Sequence, residues 1–161
     1  MEEIKKNTIA VLKDLLRICK DEQSLFQTAA DKSTDLKLKH LLAKYSDEKK
    51  EYALKLKSEI KRLGENPEFQ ETKPDSFSNV PQEEINYSQK ELLQQCLNFD
   101  DNSIKRYSNA VNEDILWEVI PLVAKQYFGA LNLHDQLTAF IKPVQNKTLP
   151  GVTQILFEQR A

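Results

Sequence analysis

A chain of 161 residues with three glycines, 30% charged and 40% apolar residues suits one helical domain with a core of its own. That composition excludes a β-sandwich or a disordered chain, and no run approaches the roughly 18 apolar residues of a membrane span. A net charge of −2 and an isoelectric point near 5.8 argue against nucleic acid as a main partner, because phosphate binding needs a basic surface.

The spacing predicts a first helix over residues 3–30. Its apolar stripe is Ile4, Thr8, Leu12, Leu15, Cys19, Phe26 and Ala29, with Glu22 in the gap between Cys19 and Phe26. Ser33 or Thr34 is expected to cap the second helix, 34–63, with Asp35 in its first turn. Its stripe is Leu38, Leu41, Tyr45, Tyr52, Leu56 and Ile60, and Glu48 takes a stripe position. Eight lysines between 37 and 61, Lys49 among them, fall mostly off that stripe, as on a solvated surface or an anion-binding face. Gly64 reads as a left-handed cap, and Pro67 forbids resumption.

The pattern then lapses over 64–81. Loops between neighbouring bundle helices usually take about 2–8 residues, so this connection is long enough to cross the whole bundle. Phe69, Phe77 and Val80 could pin it to the surface. Pro81 suits the start of a third helix, 82–111, with a stripe of Leu92, Leu93, Cys96, Ile104, Tyr107 and Val111 and with Asp100 among them. Asn112, Glu113 and Asp114 form a tight turn, with Asp114 as the expected cap of a fourth helix, 115–141. That helix carries Leu116, Ile120, Val123, Tyr127, Leu131, Leu137 and Ile141 at steps of three and four, with His134 in the same series. Pro121 leaves two alternatives: a kink, or a preliminary turn over 115–120 with the main helix starting at Pro121. Gly129 is either a point of close helix approach or a tolerated surface glycine. Pro143 ends the helix. The tail, 142–161, holds Val152, Ile155, Leu156 and Phe157, and is expected to fold back on the bundle or to dock a second subunit.

Cys19 and Cys96 both sit on apolar stripes, as buried thiols of a reducing compartment do. The opening MEEIKKNT lacks an apolar stretch, so no signal peptide is expected and the protein is expected to be cytoplasmic.

Two helical hairpins joined by a crossover make an all-α four-helix bundle. TIAVLKDLLRICKDEQSLFQTAAD, LKHLLAKYSDEKKEYALKLKSEIKRLGENPE, QQCLNFDDNSIKRYSNAV and LVAKQYFGALNLHDQLTAFI resemble a bacterial family of ferritin-like bundles of unknown function. The wider ferritin-like class implies a di-metal centre, built from a Glu on each of two helices and a Glu-x-x-His on each of the other two. Here Leu131, not Glu, precedes His134 by three residues; Glu48 and Glu51 lack a histidine; and Lys37 precedes His40. Folding the hairpins about residues 32 and 112 sets Glu22 and Glu48 about 9 Å apart along the axis, and Asp100 and His134 about 15 Å apart.

No metal or other cofactor is therefore expected, and no catalytic residue. The tyrosines at 45, 52, 107 and 127 are expected either to serve redox chemistry or to give their hydroxyls partners such as Glu48, Asp100 or Gln126. The leading expectation is a non-catalytic bundle acting through its surface, as a homodimer or with another protein. The alternative is a divergent iron-binding or ferroxidase-like protein with Glu22, Glu48, Glu51, Asp100 and His134 as ligands. A third idea is a small-ligand pocket near Pro121.

Overall fold

The computed structural model of the protein describes residues 2–68 and 89–141. Four helices fill them: α1 (Glu2–Lys32), α2 (Leu36–Arg62), α3 (Gln89–Val111) and α4 (Ile120–Ile141). The connection beyond residue 68, the expected start of the third helix at 82–88 and the tail 142–161 lie outside the described residues, and so do Phe69, Phe77, Val80 and Pro81.

α1 and α2 form the more extensive hairpin, α3 and α4 the second. α1 lies antiparallel to α3: Asn7 bonds the carbonyl of Asp114, Arg106 bonds Asp14, and Phe26 shares a core with Leu93 and Cys96. α2 lies antiparallel to α4, with Arg62 at Glu118 and Tyr45 donating to the carbonyl of Leu133. α2 therefore ends beside the α3–α4 turn, whereas α3 begins at the opposite end of the bundle. This is the arrangement of a four-helix bundle with one crossover.

Each helix boundary has a local cause. α2 is capped by Asp35, not by Ser33 or Thr34: its backbone is extended (φ −80°, ψ 122°) and its carboxylate accepts from the Leu38 amide at 3.1 Å. Asp35 stands three residues before that amide, the N-cap position, where an acidic side chain also suits the helix dipole. At the other end Gly64 takes φ 88°, and the amides of Gly64 and Glu65 bond the carbonyls of Lys61 and Ile60. This is a Schellman closure, whose positive φ strains most residues other than glycine.

α4 starts at Ile120 rather than 115. Thr8 accepts from the Leu116 amide at 2.8 Å, and Asn7 holds the Asp114 carbonyl, so 114–116 is pinned to α1. A turn over 117–119 follows, closed by Ile120 N–H to the Trp117 carbonyl at 3.3 Å. Pro121 then falls in the first turn, where its missing N–H costs no helical bond. Asp114 is thus an anchor for α1 and not a helix cap.

The core comes in two apolar clusters. One holds Leu12, Leu15, Leu16, Cys19, Leu56, Ile60, Tyr107 and Val123. The other holds Phe26, Leu38, Leu42, Tyr45, Cys96, Leu97, Leu133 and Leu137. Between them, at mid-bundle, lie the buried polar side chains Glu22, Lys49, Asp100 and Ser103.

Candidate functional site

Glu22 enters this layer because α1 places it one turn beyond Cys19 on the buried stripe. It is 0% exposed. The residue facing it from α2 is Lys49, also 0% exposed, with Nζ 3.1 Å from Glu22 Oε1. The hairpin mirrors about residues 35–36, close to the Asp35 cap, and that brings positions 22 and 49 opposite each other. Glu48, the residue the sequence spacing favours, is only half-buried, and Glu51 is exposed. The buried series on α2 steps from Tyr45 to Lys49 to Ala53, then Leu56 and Ile60. A lysine fits it because its ammonium finds a carboxylate inside.

α3 contributes Asp100 and Ser103, which lie against Glu22. α4 contributes His134, whose Nδ1 is 2.9 Å from Asp100 Oδ2 and whose Nε2 is 3.3 Å from Asp101 Oδ1. The roughly 15 Å separation expected from the sequence does not occur. The α3–α4 connection extends to Val119, so the hairpin mirrors about residue 117 instead of 112 and brings positions 100 and 134 together. The layer thus draws an ionisable side chain from each helix: two acids, Glu22 and Asp100, against two bases, Lys49 and His134.

The electrostatics follow from that balance. Burial raises the Glu22 pKa above the usual carboxylate range; Lys49 opposes the shift and Asp100 reinforces it. Desolvation works against the Lys49 ammonium, but the negative charge around it, from Glu22 first, reverses this and holds the proton more firmly than in water. The His134 pKa is raised by its hydrogen bond to Asp100; partial burial opposes this, and Asp100, Asp101 and Asp135 add to it. Lys49 also lies 5.5 Å and 6.0 Å from the ring centroids of Tyr52 and Tyr107. Glu22 Oε2, Asp100 Oδ1 and Ser103 Oγ are buried without a hydrogen-bond partner among the described residues.

A second network lies toward the Pro121 end. Tyr107 donates to Gln126 Oε1 at 2.7 Å and lies 3.1 Å from Cys19 Sγ, and Gln126 donates to the Tyr52 carbonyl at 3.2 Å. The hydroxyls of Tyr107 and Tyr45 thus find Gln126 and the Leu133 carbonyl, not Glu48 or Asp100. Burial pushes the thiol pKa of Cys19 up to about 11 and that of Cys96 up to about 12, so neither is a nucleophile at neutral pH. A polar groove of about 520 Å³ opens elsewhere, between α1 and α2, lined in part by Lys20, Gln23, Ser46 and Lys50.

The mid-bundle residues do not fit a pair of metal ions. Two dications need about four carboxylates, and the layer offers Glu22 and Asp100. The Lys49 ammonium, 3.1 Å from Glu22, repels any cation placed there. His134 turns both ring nitrogens to aspartates, so a metal would have to displace one of these contacts to reach it. Among the described residues no three His, Cys, Asp or Glu side chains converge as a metal site. The sequence spacing missed Lys49, and the signal for it was present. The four-residue step from Tyr45 to Ala53 passes through it.

Among the described residues no helix is long and apolar enough to cross a membrane. No curated protein matches the chain. Residues 7–77 match the family described as a domain of unknown function, DUF2383. Of the solved structures, a two-domain protein from Anabaena variabilis with DJ-1/ThiJ/PfpI-like and ferritin-like domains superposes with a TM-score of 0.69 at 14% identity. The superposition covers 88% of this chain and 38% of that one, so this chain spans well under half of its neighbour's length. The helix order and this likeness show that the chain has the fold of a ferritin-like four-helix bundle, and over residues 7–77 it is similar to DUF2383.

Proposed function

We propose that this protein is a non-catalytic, cytoplasmic ferritin-like bundle that acts through its surface, by self-association or by binding another protein. The observation that carries the reading is the buried Glu22–Lys49 pair. At mid-bundle, where a di-metal protein of this fold would gather carboxylates around two cations, this chain supplies its own cation. The layer already holds an ammonium beside a buried carboxyl group, so a metal ion entering it would have to displace that ammonium. The buried free thiols suit a reducing compartment.

The competing reading, a divergent iron-binding protein, draws on one observation: Glu22, Asp100 and His134 share a layer. It requires Lys49 to leave that layer. Elemental analysis of the full chain, purified without chelator, separates the two. The expected result is iron, manganese and zinc well below one ion per chain and no oxygen consumption on adding ferrous iron. About two irons per chain with ferroxidase turnover would overturn the proposal.

A further inference from the structure

We propose that α4 carries a self-complementary outer face through which two copies of this chain pair antiparallel. The inference rests on the self-association half of the reading above and gives it a surface. α4 holds only two full charges in 22 residues, Lys125 and Asp135, besides His134. Its inner side is accounted for: Val123, Ala130, Leu133 and Leu137 are buried. Its outer side is nevertheless apolar as well. Phe128 is 65% exposed, Ile120 37%, and Trp117, in the turn leading into the helix, 81%. Ile120, Ala124 and Phe128 step by four and share a face. A helix that is apolar on two sides has more such surface than the bundle covers.

The arrangement of that face selects the occupant. A two-fold contact requires that if residue i meets j on the partner, j meets i. Trp117 and Phe128 lie nearly symmetrically about Leu122, and so do Glu118 and Lys125. When two α4 helices meet antiparallel about that point, Trp117 covers the partner's Phe128 on both sides of the axis. Pro121 and Ala124 fall at the centre, where small side chains let the helices approach. Glu118 and Lys125, seven residues apart on one flank, each meet the opposite charge on the partner. Arg62 already stands 3.4 Å from Glu118, which holds that carboxylate at the edge of the face.

Sedimentation velocity of the full chain, over about 1–100 μM at low salt, tests this. The wild type is expected to dimerise. Phe128→Glu should be monomeric with its helical circular dichroism retained, because the side chain is mostly exposed. Lys125→Glu should weaken the dimer about tenfold or more, and adding Glu118→Lys should restore it. A wild type monomeric throughout, a Phe128→Glu protein that still dimerises, or a charge swap that fails to restore pairing would each overturn the proposal. So would a monomeric wild type that Phe128→Glu destabilises, since the face would then be covered by the chain itself. These outcomes are independent of metal content, so this surface and the closed centre fail separately.

Discussion

A lysine ammonium with no exposed surface is costly to desolvate, by several kcal/mol even after relaxation. Lys49 tolerates this because Glu22 stands 3.1 Å away and the faces of Tyr52 and Tyr107 flank it. Such a pair need not add net stability, but breaking it is expensive. Lys49→Met alone leaves Glu22 buried beside Asp100 with no counter-charge, and is expected to cost about 3–5 kcal/mol. Glu22→Leu combined with Lys49→Met removes both charges and leaves Asp100 on His134. The double variant should recover most of the loss or exceed the wild type. Urea denaturation of both variants checks this; a double variant as unstable as the single one would show that the two residues do not act as a unit.

At the scale of the helices, α2 and α4 approach closely where Tyr52 meets Gly129. A Cβ at Gly129 would stand 1.9 Å from the Tyr52 hydroxyl oxygen. Glycine inside a helix costs about 1 kcal/mol against alanine, so the position keeps it for space. Gly129→Ala is expected to destabilise by about 1–3 kcal/mol in spite of its better helix propensity. Tyr52→Phe in the same chain removes the clashing oxygen, though the ring carbon stays 3.1 Å away, and should recover most of the loss, as thermal melts of the two variants would show. Three of the four stripes were legible from spacing, because α1, α2 and α3 alternate charged and apolar faces. α2 misled at three steps: Leu42, Lys49 and Ala53 lie inside where Leu41, Glu48 and Tyr52 were expected. α4 was the least legible: apolar nearly all round, it has no polar face to fix its rotation. Its buried series is Val119, Val123, Gln126, Ala130, Leu133 and Leu137, one residue away from much of the expected one. The sites depended on where each hairpin turns, and a shift of five residues in the second turn decides whether Asp100 and His134 meet.

For the whole molecule, the charge balance of the central layer sets a pH dependence. The His134 pKa is raised on folding from a reference of 6.5. The folded state therefore binds the proton more tightly, and the imidazolium's stabilisation is complete below about pH 6.5. It fades as pH rises through the elevated folded-state value. Free energies of unfolding measured between pH 5 and 9 should fall over that upper window in the wild type. The difference from His134→Gln should shrink as the histidine deprotonates; a difference independent of pH would remove the assignment.

The polar layer also divides the oily interior, and each half contains one cysteine, Cys19 on one side and Cys96 on the other. Both thiols are sealed from reagent in the native state. The protein thus carries two internal clocks. The rate at which each sulfur becomes accessible to an alkylating probe reports the opening of its own end of the bundle, so a gap between the two rates would reveal a molecule that breathes by halves.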